Sequence, residues 1–572
     1  MVIAKIIIVV AAGSVWLFVS GIACKANAVE KVVLAVSLGL ACAMLAGVLS
    51  IVAGLAFDIV GNGILFAVAV ALVVAWLFRK PKLVHPKLKV NELWRYWLPA
   101  ALFSYHLALW AIYLIKYPYF PNSLPMDVVW HSDITSFVLR RAVAGPLAEA
   151  CFPTGSHILF AFVSTYLGID VLPSLRITSA AVETLSVLVA FCLFQRLLPT
   201  RQAAAYATVA FSLVIPAGLV YYARVGAYPN IIGDFFALVS LLLALIVSEK
   251  LTLRSVLTAA LVQSTALMSH ISVAVLAALV ICFSVAVLRQ FRSQFRIYLI
   301  SNVGFFAFPM VALAAAPTLL AREFAYVSTY YLELNNNLGL ILRQWLHNYL
   351  FLAGSLNFIL LMAAFGWIAI KSEKRIWSLF LVAWFGLLFL LVFVSTNDWR
   401  LVLLSLVPGA GLLGLLLSRL QQTLEKVTVE KIPAAKLRQI CVNFVMLAMV
   451  IVLTIGGPTV FAMSEALANR QALSQSHIYE SMVWLQANSS RDCVVISVHL
   501  QKEYRYLPIV ANRSYRGDYE LDSQGILKLR GNFQFDYVTV STDFSGFETF
   551  YDAFRAVYRN PAVAIFEVQT VC

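Results

Sequence analysis

The chain has 572 residues, 62% of them hydrophobic and 12% charged, with a mean hydropathy of +0.87. Those values exclude an ordinary soluble globular protein. The net charge of +14 does not point to nucleic acid, because the excess sits in short loops between apolar runs, where it sets membrane orientation.

A helix needs about 20 apolar residues to cross a bilayer, and about fourteen runs reach that length. They are 2–24, 32–52, 57–78, 95–116, 171–195, 203–222, 229–247, 252–269, 271–288, 297–320, 347–370, 376–395, 400–418 and 440–463. The first run is too long for a signal-peptide core and lacks a small-residue cleavage site, so it is read as a retained helix. Alternate loops carry the basic residues: Lys25 and Lys31; Arg79 to Lys89; Arg196 and Arg201; Lys250 and Arg254; Arg289 to Arg296; Lys371 to Arg375; and the long 419–438 loop. By the positive-inside rule that side is cytoplasmic.

The alternation holds only if 156–168 does not cross. That segment is about thirteen residues long, too short for a span, and is read as an interfacial or re-entrant helix. The same reasoning places 117–170, 221–228, 321–346, 396–399 and the tail on the extracytoplasmic side. The expected protein is therefore a multi-pass plasma-membrane protein. Residues 1–90 form a three-span extension, 91–463 a membrane module with an outer loop at 117–170, and 464–572 a small soluble domain.

In that tail, 474–488 has helical periodicity, while 493–498, 535–541 and 562–568 are strand-like. Residues 546–558 are read as a helix between the last two strands, giving a small α/β domain. Asn488-Ser-Ser490 and Asn512-Arg-Ser514 are glycosylation sequons. Six of the eight cysteines lie in or beside membrane runs. The other two, Cys493 and Cys572, bracket the tail, and a disulfide between them is compatible with an extracytoplasmic location.

The outer loop concentrates the chemistry. Pro125 can open a helix with Asp127 in its first turn, where free backbone N–H groups favour an anion. Asp127 and His131 are i,i+4 and share a face, and Asp133 follows. Ile134, Phe137 and Val138 give an apolar stripe, so the segment reads as an amphipathic helix on the outer surface, ending at Gly145-Pro146. A carboxylate here can act as general base toward a hydroxyl, or with His131 hold a divalent metal such as Mg2+ or Mn2+. The alternative is a solvated loop with a helix cap. His157 follows the Pro153-Thr-Gly turn, as a substrate-lining group or an interfacial histidine. Arg224, Tyr228, His270, Asp398 and Arg400 fall at the outer ends of spans. Singly each reads as an interfacial residue. Together, Arg224, His270 and Arg400 on the face of Asp127 and Asp133 suit a lipid phosphate beside a hydroxyl nucleophile. Arg322, Glu323, Glu333 and Arg343 lie in the 321–346 loop that would cover such a site.

In the order of these elements the chain resembles the GT-C superfamily of integral membrane glycosyltransferases, which includes oligosaccharyltransferases, protein O-mannosyltransferases and aminoarabinose transferases. The matching series is the span 95–116, the acids Asp127 and Asp133, the turn Pro153–Gly155, the short helix 156–168, and the span opening LPSLRITSA. The tail, opening VWLQANSSRDCVVISV and closing VYRNPAVAIFEV, looks like the family's extracytoplasmic end domain. The resemblance implies transfer of a sugar from a polyprenyl-phosphate-type carrier to a glycan, lipid or protein acceptor, with Asp127 first and Asp133 second as the base or metal ligand. It implies phosphate contacts at Arg224, His270 and Arg400. Two departures stand out: the adjacent acidic pair of several families is replaced by acids six residues apart, and the WWDxG signature of oligosaccharyltransferases is absent. Two other readings remain open. A transporter or flippase of lipid-linked glycans would need buried mid-membrane charges, for which Arg176 and Glu183, seven residues apart and able to pair, are the nearest candidates. A scaffold would act through its tail.

Overall fold

In a computed structural model, the described residues are 2–53, scattered positions of 55–67, 97–116, most of 131–139, 155–215, 227–247, 252–270, 338–371, 381–389, 399–431, 435–455, 477–490, 493–500, 507, 514–519, 521–530 and 535–568. They form a helical membrane bundle and a small mixed-sheet domain.

The bundle begins with α1 (Val2–Val19) and α2 (Ala28–Ala53). Asn27 and Glu30 cap α2 reciprocally: the Glu30 N–H donates to Asn27 Oδ1 at 3.0 Å and the Asn27 N–H to Glu30 Oε2 at 2.8 Å. This satisfies two of the donors that a helix start leaves open. Next come α3 (Trp97–Lys116), α4 (Gly155–Leu167), α5 (Val171–Leu197) and α6 (Arg201–Val209), the last passing into a π-turn at Ala210–Val214. Then follow α7 (Tyr228–Val247), α8 (Leu253–Ser269), α9 (Leu338–Ala353), α10 (Ser355–Lys371), α11 (Trp399–Lys431) and α12 (Ala435–Ile455). Among the described residues, five helical stretches are long and apolar enough to cross a membrane: Ala28–Val48, Val171–Leu197, Tyr228–Val247, Leu404–Thr428 and Leu437–Ile455.

Several boundaries differ from expectation. The run 347–370 is not one helix, because Gly354 adopts φ 83 and breaks it between α9 and α10; a left-handed residue is a helix stop that glycine tolerates. Part of the expected 321–346 loop, Arg343 included, is instead the start of α9. Most of the basic 419–438 loop is helical as well, since α11 runs on to Lys431. The expected spans at 271–288 and 297–320 lie outside the described residues.

The N-terminal helices are packed into the bundle. Arg196 Nε lies 2.5 Å from Glu30 Oε1, and its Nη2 donates to Glu30 Oε2 and to the Lys25 carbonyl. Glu30 is 1% exposed, so the pair is shielded from the screening that weakens surface ion pairs. Trp16 donates to Thr258 Oγ1 at 3.0 Å, and Arg254 to the Val19 carbonyl at 3.5 Å. At the other ends of these helices, Lys5 donates to the Tyr166 carbonyl and lies over the Tyr166 ring. A Cβ on Gly47 would meet Ile158 at 2.5 Å. Each contact joins helix ends that the loop charges assign to the same face.

The tail domain has α13 (His477–Asn488), β1 (Val494–Val498), β2 (Ser514–Tyr519), α14 (Ser523–Arg530), β3 (Tyr537–Ser541), α15 (Thr549–Ala553), β4 (Arg555–Arg559) and β5 (Val563–Glu567). The sheet order is β2-β1-β3-β5-β4, with β1 parallel to β2 and β3, and β5 antiparallel to β3 and β4. The helix expected over 546–558 stops at Ala553. Its second half is an edge strand, paired with β5 through a tight turn in which Asn560 Oδ1 accepts from the Ala562 and Val563 N–H groups. Ile496, Val498, Val538 and Val540 pack with Phe547, Phe550 and Phe566 on one face of the sheet; Val495 and Ile565 pack under Met482 and Leu485 of α13 on the other. The sulfur of buried Cys493 lies 3.3 Å from Ser489 Oγ, and Cys572 lies outside the described residues.

Candidate functional site

The first turn of α4 is the hub. Its opening residue, Gly155, sits so close to the end of α8 that a Cβ there would meet the Met268 carbonyl oxygen at 2.6 Å. The next residue, Ser156, directs Oγ toward the Ser269 carbonyl at 3.4 Å. Small residues let helices approach this closely, as membrane bundles require. Ten residues of α4 are buried, on all sides of the helix, among them Ser156, His157, Leu159, Phe160 and Ala161. A helix lying on the membrane surface would bury one face only; residues 155–162 are buried all round while Thr165 is exposed, which fits the re-entrant alternative better than the interfacial one.

His157 is fully buried, and its Nε2 lies 3.0 Å from His131 Nδ1. The rings are tilted, with centroids 5.1 Å apart. One nitrogen of the contact carries the hydrogen and the other accepts it. His131 belongs to the helical stretch at 131–139, whose buried face is polar: His131, Ser132, Thr135 and Ser136 are buried beside Val138. Thr135 Oγ1 donates to the His131 carbonyl at 2.8 Å, and Ser132 Oγ has no hydrogen-bond partner among the described residues. Of the expected apolar stripe, Val138 lies in the core and Ile134 packs against it, while Phe137 lies outside the described residues. The segment also turns hydroxyls and an imidazole inward, which the expected surface helix did not include. Buried polar groups are costly unless satisfied, so a polar inner face marks a polar interior.

His270 follows α8 directly, its N–H closing the helix on the Ala266 carbonyl at 2.9 Å. Because Gly155 and Ser156 pack on Met268 and Ser269, the turn before His157 and the residue His270 stand at the same junction. Tyr228, fully buried, is the first residue of α7, which packs on α4, α5 and α8. The structure thus gathers His131, His157 and His270 around one helix start, with Tyr228 on an adjoining helix. Arg400 stands in the first turn of α11. Asp127, Asp133, Arg224 and Asp398 lie outside the described residues, as do Arg322, Glu323 and Glu333.

The described part of this site is not by itself a divalent-metal site. Among the described residues no three His, Cys, Asp or Glu side chains cluster to hold a metal ion. The two imidazoles direct nitrogens at each other, whereas Mg2+ and Mn2+ take mainly oxygen ligands. Carboxylates would have to come from Asp127 and Asp133.

One cluster was not anticipated. Glu183, half-way along α5, contacts His106 Nδ1 through Oε1 at 3.1 Å and accepts from the Trp110 indole N–H through Oε2. His106 Nε2 reaches the Ser212 carbonyl in the π-turn at 3.2 Å. Arg176 and Glu183 stood out in the sequence as able to pair; the carboxylate meets His106 and Trp110 of α3. A lone histidine inside the apolar run 95–116 was the available signal.

No protein-family model matches the chain, and no curated protein does. Among solved structures, ArnT from Cupriavidus metallidurans bound to undecaprenyl phosphate superimposes with a TM-score of 0.54 at 12% identity, over 82% of this chain and 97% of that one. The Archaeoglobus fulgidus oligosaccharyltransferase tethered to an acceptor peptide containing the NVT sequon gives 0.51 at 13%, over 79% and 70%. The chain has a GT-C-like fold. Within that fold, α3, α4 and α5 fall where the resemblance placed its outgoing span, short helix and returning span. At such identity the likeness concerns architecture alone.

Proposed function

We propose that this protein is a membrane glycosyltransferase that moves a sugar from a polyprenyl-phosphate-type carrier to an acceptor hydroxyl at the extracytoplasmic face. The supporting observation is the GT-C-like fold, matched over nearly the whole length of a chain seen with undecaprenyl phosphate, with a polar inner face meeting His157 beside the loop that bears the acids. In this reading the carrier phosphate lies against Arg224, His270 and Arg400, with Tyr228, Asp398 and His157 lining the sugar. Asp127 takes the acceptor proton, Asp133 being the second candidate. The acceptor oxygen bonds to the anomeric carbon, the bond from that carbon to the phosphate oxygen breaks, and the carrier leaves as its phosphate. The configuration inverts. No step needs a metal, although Asp127 with His131 would be its ligands. The tail domain lies on the same, extracytoplasmic side.

The test is transfer by full-length protein in nanodiscs, offered a panel of polyprenyl-phosphate sugars. Wild type transfers one of them. Asp127→Asn or Asp133→Asn, inserted and folded, lowers the rate at least about 100-fold, as loss of a general base does. Full transfer by both variants, or none by wild type with any donor, overturns the reading.

The buried His106–Glu183 pair favours one rival, a carrier of lipid-linked glycans, since ionisable groups within a bundle often mark transport paths. That rival predicts movement of a fluorescent polyprenyl-phosphate sugar across proteoliposomes with no glycosidic bond formed.

A further inference from the structure

His106 and Trp110 are one turn apart on α3 and share a face, and both meet the one carboxylate of Glu183 on α5. His106 and Glu183 are each 1% exposed. The other imidazole nitrogen meets the Ser212 carbonyl of α6's π-turn. The local sequence accounts for that last contact. Proline at position 216 has no N–H, so it cannot donate to the Ser212 carbonyl four residues earlier as an α-helix would require; His106 donates in its place.

The proton count follows from the partners. A carbonyl only accepts, so His106 Nε2 carries a hydrogen. The 3.1 Å contact between Nδ1 and Glu183 Oε1 then needs one more proton. Either Nδ1 holds it, giving imidazolium and carboxylate, or Oε1 holds it and donates to a neutral ring. In both cases the pair carries one shared proton and no net charge. A bare carboxylate against a neutral Nδ1 would set two acceptors face to face in a low-dielectric interior, where an unpaired polar group is most costly.

We propose that Glu183 is a positioning residue that fixes the rotation and depth of α3 against α5 and α6, and thereby sets the end of α3 at Lys116 relative to the start of α4 at Gly155. Two polar groups on one face of α3, both meeting the one side chain of Glu183, define how that helix is turned. The loop leaves α3 at Lys116 and enters α4 at Gly155, and α4 leads directly into α5. Glu183 therefore sits on the element that anchors the far side of the loop while gripping the near side. The importance of this for transfer rests on the function proposed above; the clamp itself does not.

Glutamine can replace the acid without the shared proton. Its NH2 donates to Nδ1, its carbonyl accepts from the Trp110 indole, and a neutral His106 still donates to Ser212. A clamp tolerates that change, whereas a proton carrier loses its function. Leucine has no polar atom and deletes the contact that both His106 and Trp110 make with position 183.

The experiment uses full-length protein in nanodiscs, comparing Glu183→Gln, Glu183→Leu and the milder Trp110→Phe. Hydrogen exchange followed by mass spectrometry reads residues 117–154 against the tail. Glu183→Leu raises exchange in 117–154 about 10-fold, Trp110→Phe raises it less, and Glu183→Gln leaves it within about 2-fold of wild type, with tail exchange unchanged in all three. With whichever polyprenyl-phosphate sugar wild type turns over, Glu183→Leu lowers kcat about 100-fold with little change in KM, the signature of misplaced reacting groups, and Glu183→Gln retains it. Should Glu183→Leu fail to insert, Trp110→Phe and Glu183→Gln still decide the matter. The proposal is overturned if Glu183→Gln disrupts as strongly as Glu183→Leu, or if loop exchange is unmoved in every variant that inserts. If wild type transfers no sugar but the exchange pattern holds, the clamp stands and the function falls.

Discussion

His131 Nδ1 and His157 Nε2 face each other at 3.0 Å, joining the loop helix to the first turn of α4 across 26 residues of chain. Both rings are buried. The contact is a buried hydrogen bond between two rings, of the kind that contributes about 1 kcal/mol.

Removing either ring therefore deletes this contact from the other. His131→Ala and His157→Ala are each expected to cost roughly 1–3 kcal/mol of stability. Because the same bond is lost in both, the double variant should cost clearly less than the sum. A double-mutant cycle on thermal midpoints measures the coupling, and strict additivity would show that the contact contributes nothing.

Gly155 is expected to tolerate no side chain. In Gly155→Ala the new methyl would press on the Met268 backbone, so α4 and α8 must separate, at a cost on the order of 1–3 kcal/mol. Gly414→Ala is the control, colliding with the Ala203 carbonyl at 2.6 Å in the α6–α11 contact. Both variants should lower the melting temperature. Only Gly155→Ala should also weaken binding of undecaprenyl phosphate, measured by native mass spectrometry, because only it shifts His157 and His270.

The Arg196–Glu30 pair ties α2 to α5. Glu30→Ala removes the carboxylate that the Arg196 guanidinium meets and the bond from the Asn27 N–H that forms half of the α2 cap, a loss of about 3 kcal/mol or more. Fluorescence-detected gel filtration after heating should show early aggregation of Glu30→Ala. A chain lacking residues 1–53 should fare worse, since Trp16, Lys5 and Gly47 all contact later helices. Normal elution of the truncated chain would mean that these helices are dispensable.

In the tail, Asn560 holds the β4–β5 turn through two backbone donors and also donates to the His477 carbonyl. Asn560→Ala should destabilise the domain by roughly 1–2 kcal/mol. The check is faster hydrogen exchange in 555–567, with exchange in α2 and α5 unchanged.

Composition and loop charge alone determined that this is a multi-pass membrane protein, because apolar length and basic bias are local properties that no tertiary contact rewrites. The same local patterns placed α3, α4, α5, α7 and α8 within a few residues, along with three of the five strands. They could not say that Gly354 turns left-handed, nor that the second half of 546–558 is a strand, since an edge strand is decided by the neighbour it pairs with. His131 and His157 were legible as candidates from their place in a polar outer loop. That their nitrogens meet, that the first two turns of α4 are buried all round, and that 131–139 buries its polar face depend on contacts between segments distant in the chain. Glu183 shows the division most plainly. The acid was visible within an apolar run, and its nearest sequence-based partner was Arg176. Only the docking of α3 against α5 and the π-turn brought His106 and Trp110 to it, because a buried charge takes the partners that packing presents, not those nearest in the chain.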